Sequence, residues 1–175
     1  MTAIVSLVWD DSESDVPEGH SGPSNVEATF FADFLTNMSP DLSGAEGRAA
    51  RKRMEELGLL VLVDAWTPEG AWIELEEDED PEDYFDTPFH SKEDWLRAVD
   101  WASPEALDSA AKTALDYLNS KNPAFEPILA VYRGRRDFDI EQIRGFLRGD
   151  LEIITEMAAW AKSHGLKKIA LQVSD

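Results

Sequence analysis

From Asp139 onward apolar residues recur at helical spacing for about six turns: Ile140, Ile143, Leu147, Leu151, Ile154, Ala158 and Ala161 share one stripe. That stripe predicts a long amphipathic helix over 139–164, capped by Asp139 and stopped at Gly165, with one face that has to lie against something apolar. Gly145 and Gly149 fall inside it as possible kinks. Other start and stop signals punctuate the chain. Ser91 with Asp94 makes an N-terminal box for a helix carrying Trp95, Leu96, Val99 and Ala102. Ser103-Pro104-Glu105 opens another, striped by Leu107, Ala111, Ala114, Leu115 and Leu118 and ended within 119–123. A helix is expected from Asn25 to the Ser39-Pro40 stop, on the stripe Val26, Phe30, Phe31, Phe34, Leu35 and Met38. A weaker one is expected over 44–57, stopped by Gly58. Its Arg48, Arg51, Lys52 and Arg53 sit in the C-terminal half, where the helix dipole favours cations.

Short apolar or alternating runs between these helices read as strands: AIVSLVW (3–9), LLVLVDAW (59–66), AWIELE (71–76), FEPILAVY (125–132) and KKIALQV (167–173). TPEG turns the second into the third as a hairpin, and Pro127 has to start its strand or sit on an edge. The order β-αα-β-β-αα-β-α-β predicts an α/β (or α+β) fold: a single layered domain over 1–175 with helices on a mixed five-stranded sheet. At 175 residues the chain is long enough to bury one core.

Charge constrains the partners. The formal net charge is −20, and residues 1–100 hold 25 Asp and Glu against 6 Lys and Arg, or −19; residues 101–175 hold 11 against 10. Residues 1–47 contain no Lys or Arg. Such a field repels phosphate backbones and anionic lipid, so neither nucleic acid nor membrane is expected as a partner; it attracts basic proteins. With no cysteine, disulfides, thiolate metal sites and thiol catalysis are excluded. The apolar run at the N-terminus is short, lacks a basic flank and ends in acids, which is neither a signal peptide nor a spanning helix. Cytoplasmic residence is the expectation.

ELEEDEDPEDYFD, residues 74–86, places nine carboxylates in thirteen positions without one base. Asp78, Asp80, Glu82 and Asp86 alternate like the oxygen ligands of a calcium loop, but the turn glycine is missing, Pro81 stiffens the middle and Tyr84 fills a ligand position. No metal or cofactor is assigned. DDSESDVPE after the first strand is a second acidic stretch, and both are expected as flexible loops, near 10–25 and 77–90. If they emerge on one side of the sheet they form a broad negative surface, of the sort by which inhibitors capture cationic toxins or mimic nucleic acid. Trp72 alternates with Glu74 and Glu76 on a polar strand face and is expected as an interface anchor, with Trp66 a weaker candidate. Trp9, Trp95 and Trp160 lie in apolar stripes and read as core. The candidate binding residues are therefore Trp72, Asp78, Asp80, Glu82 and Asp83, with Asp10, Asp11 and Asp15 as a second patch.

Catalytic signals are poor. GHSG (19–22) sets His20 and Ser21 in a loop with neither a Walker lysine nor a nucleophile elbow, and His90 and His164 have no partner at ligand spacing. YRGRRD (132–137) is expected to pair with the chain's own acids. Asp64 interrupts LLVLVDAW, either at a strand end facing water or in a pocket that raises its pKa. The leading expectation is a non-catalytic, acidic protein-binding module, most concretely an inhibitor or immunity-type protein that neutralises a basic partner such as a toxin. The alternatives are a small metal-assisted hydrolase using Asp64 and loop carboxylates, and an assembly protein forming a homo-oligomer through the 139–164 helix.

Overall fold

The computed structural model describes residues 4–10, 16, 24–25, 44–68, 89, 91–132 and 139–174. The first and last β-rich segments find each other. Strand β1 (Ile4–Trp9) pairs antiparallel with β3 (Ile169–Ser174), from Ile4 opposite Ser174 to Trp9 opposite Ile169. A two-residue strand, β2 (Ser24–Asn25), adds to the other side of β1 at Val5 and Ser6, giving the order β2-β1-β3. The far side of β3 is also occupied. Leu171 donates its N–H to the Ala65 carbonyl and accepts from Thr67, while Ala102 and Ile169 exchange both backbone bonds.

Strand alternation then sorts the side chains. Val5, Leu7, Ile169 and Leu171 point into the main core, whereas Val8 and Ala170, paired with each other, face the opposite way. That second face is covered by Trp95 and Val99, with Phe89, Leu96 and Trp101 around them.

The helices are α1 (Ala45–Glu56), α2 (Val61–Asp64), α3 (Lys92–Ala98), α4 (Pro104–Asn119), α5 (Glu126–Leu129) and α6 (Ile140–Ser163). Helix α5 is flanked by 3-10 turns at Pro123–Phe125 and Ala130–Tyr132. Their ends follow the local chemistry. Ser91 accepts from the Asp94 N–H, Ser103 from Ala106, and Asp139 closes a full capping box with Gln142. Gly58 and Gly165 adopt φ +72° and +70°, the left-handed conformation that ends α1 and α6. Helices α4 and α6 pack along each other. The start of α4 (Asp108) meets the end of α6 (Lys162), and Asn119 meets Arg148, so the pair is antiparallel. Leu107, Ala111, Ala114 and Leu118 face Ile143, Leu147, Leu151, Ile154, Ala158 and Ala161, all within 1% of complete burial. Each fully buried Leu or Ile contributes about 1.5–3 kcal/mol.

The described fold is mostly helical with one small antiparallel sheet, which overturns the five-stranded mixed sheet expected from the sequence. Two expected strands are helical. In LLVLVDAW the buried residues are Leu59, Leu62 and Ala65, three apart, and the segment turns through α2 before bridging β3 at Trp66. In FEPILAVY the buried positions Phe125, Ile128, Leu129 and Val131 again follow helical spacing, and Pro127 sits in the first turn of α5, where its missing N–H costs nothing. An unbroken apolar run carries no period of its own, so packing on α1 and α4 decided both segments. The expected strand 71–76 lies outside the described residues. So does the expected helix after Asn25, except Asn25 itself, which belongs to β2. Helix α6 runs continuously through Gly145 and Gly149.

Candidate functional site

Of the expected binding residues, Trp72, Asp78, Asp80, Glu82, Asp83, Asp11 and Asp15 lie outside the described residues, and Asp10 lies within them. Asp10 is half-buried, one step beyond the Trp9–Ile169 pair. Asp10 and Lys168, which flank the last pair of the two strands, are each engaged by neighbours. β1 runs antiparallel to β3 and ends beside Ile169, whereas residues 65–67 run parallel to β3 beside Leu171. Residues 11–15 and 69–86, which hold the rest of the two acidic stretches, lie outside the described residues.

The described residues hold 17 Asp and Glu against 13 Lys and Arg. Within the body at least seven of the 13 bases pair with its own acids: Arg51, Arg53, Arg97, Lys112, Lys121, Arg144 and Lys162.

Asp64 belongs to this set. It ends α2, not a strand, and accepts from Arg51 Nη2 at 2.7 Å, tying α2 to α1. The pair is half-exposed, about a third to two fifths open on each side. A carboxylate clamped by a guanidinium is poorly placed as a metal ligand or base. His164 terminates α6, stacking on Trp160 with ring centroids 3.9 Å apart, and its Nδ1 lies 2.8 Å from the Trp160 carbonyl. Trp160 in turn packs on Trp9 at 5.6 Å. His20, Ser21 and His90 lie outside the described residues. Among the described residues no three His, Asp or Glu side chains gather in a way that holds a metal ion.

Trp95 is buried, and Trp9 and Trp160 pack half-buried against the main core, as their stripes imply. Trp66 is half-buried with its indole N–H donated to the Leu62 carbonyl at 2.8 Å, a role within the fold. The apolar stripe of α6 lies against α4 inside the molecule, while Gly145 on the same helix is exposed. Residues 133–138 of the YRGRRD cluster lie outside the described residues.

Two charged groups that the sequence reading passed over are brought together by the helices. Asp108, 7% exposed, accepts from Lys112 Nζ at 2.8 Å and Lys162 Nζ at 2.7 Å on one carboxylate oxygen. Burial pushes its pKa up, but the two lysine hydrogen bonds and their charges outweigh that and hold it below the usual 3.8. Arg144, 5% exposed, donates to Glu126 of α5 and lies 3.7 Å from Glu141. Glu141 also accepts from Lys121 at 3.0 Å. The i,i+4 pair Asp108/Lys112 and the i,i+3 pair Glu141/Arg144 are visible in the sequence; their long-range partners are not. Both clusters join helices. An open depression of about 560 Å³ lies on the C-terminal end of α4, lined by Thr113, Asp116, Tyr117, Asn119, Ser120 and Asn122.

No family model, no curated protein and no solved structure matches this chain. No helix among the described residues is long and apolar enough to cross a membrane.

Proposed function

We propose that this chain is a non-catalytic binding protein that holds a basic protein partner through its acidic stretches, in the manner of an inhibitor or immunity-type protein that shields a cationic toxin. The observation that carries the reading is the uneven charge along the chain: −19 over residues 1–100 against −1 over residues 101–175, with nine carboxylates and no base in residues 74–86. Acidity acquired for solubility alone would spread along the whole chain. Concentrated negative charge speeds encounter with a basic surface and makes binding salt-sensitive.

The two stretches are unequal in this reading. Residues 74–86 hold nine carboxylates in thirteen positions, and residues 10–18 hold five in nine. Asp78, Asp80, Glu82 and Asp83, with Trp72 as an apolar anchor, are therefore the principal contact, and Asp10, Asp11 and Asp15 the secondary one.

The test compares the native chain with a variant carrying D78N, D80N, E82Q and D83N, each immobilised in lysate of its own source and eluted with rising salt. The expected result is one dominant basic protein, retained by the native chain, released at high salt and lost from the variant. Equal retention by both proteins, or no basic protein on either, overturns the proposal.

A further inference from the structure

We draw no further inference here: the strongest candidate, the open depression at the C-terminal end of α4 lined by Thr113, Asp116, Tyr117, Asn119, Ser120 and Asn122, carries nothing because the amide oxygens of Asn119 and Asn122 already accept from Arg148 and the Ala124 backbone and nothing in the structure shows what would occupy it.

Discussion

Asp108 shows how one carboxylate fastens two helices. Its Oδ2 takes hydrogen bonds from a lysine one turn along α4 and from another at the end of α6. Because its folded pKa lies below the ordinary 3.8, the unfolded chain takes up this proton first as pH falls. The pair's stabilisation is thus fully present above the unfolded value and is lost as pH drops through the folded one. Asp108→Asn should lower stability by about 1–3 kcal/mol at neutral pH, since its lysines can swing into water. Thermal melts of both proteins should converge as pH is lowered beneath 4; a gap that stays constant with pH would remove the ion pair as its cause. Two glycines give a paired expectation of opposite sign. At Gly58 a Cβ meets nothing within 4 Å, yet φ is +72°, so Gly58→Ala should cost about 1 kcal/mol through backbone strain alone. Gly145 lies exposed within α6, also with open space, so Gly145→Ala should stabilise by about 0.5–1 kcal/mol. Urea unfolding of the two variants reads both signs directly.

Among the elements, α6 is the one on which the others depend. It buries its stripe on α4, holds α5 through Arg144 and Glu126, and leads into β3 after Gly165. Its N-terminus is fixed by Asp139, which accepts from the Glu141 and Gln142 N–H groups at 2.9 Å. Asp139→Ala should cost about 1 kcal/mol, as losing a cap usually does, without changing helix content. Ile128, wholly buried in α5, is a sharper test of the segment once expected as a strand. Ile128→Ala should cost about 2–5 kcal/mol. Far-UV circular dichroism of Pro127→Ala, made in parallel, should keep its helical signal, because a proline in a first helical turn contributes no needed hydrogen bond.

At the scale of the molecule, the packed helices carry stability and the acidic stretches carry the proposed recognition, so the two properties should separate. Neutralising residues 78, 80, 82 and 83 should leave the unfolding free energy within about 0.5 kcal/mol of the native protein, as substitutions outside a packed core usually do. The same variant should bind its partner more slowly, with a flatter dependence of association rate on ionic strength. Stopped-flow association across a salt series separates the outcomes: a uniform rise in dissociation with unchanged association would place the contact in packing instead of charge.

Helix ends were legible from the sequence because they are set by neighbours in the chain. Ser91, Ser103-Pro104, Asp139 with Gln142, Gly58 and Gly165 each satisfy or release backbone groups within a few residues, and no distant contact is needed to read them. The runs at 3–9 and 167–173 were read as strands from their short apolar composition, and the stripe of α6 was legible because its apolar residues recur at helical spacing among polar ones. LLVLVDAW and FEPILAVY offered no such contrast, although Asn122-Pro123 before the second was an overlooked helix-start signal, with Asn122 Oδ1 accepting from the Ala124 N–H. Which partner Asp64 would meet was equally hidden: Arg51 lies thirteen residues away and only the turn at Gly58 brings them together. The sequence alone determined the charge, the missing thiols, the helix caps and the long stripe, because these depend on composition or local bonding. Only the tertiary structure decided that two apolar runs form helical turns and that β3 lies between β1 and the segments at 65–67 and 102. Those outcomes depend on which distant surfaces compete for the same apolar residues.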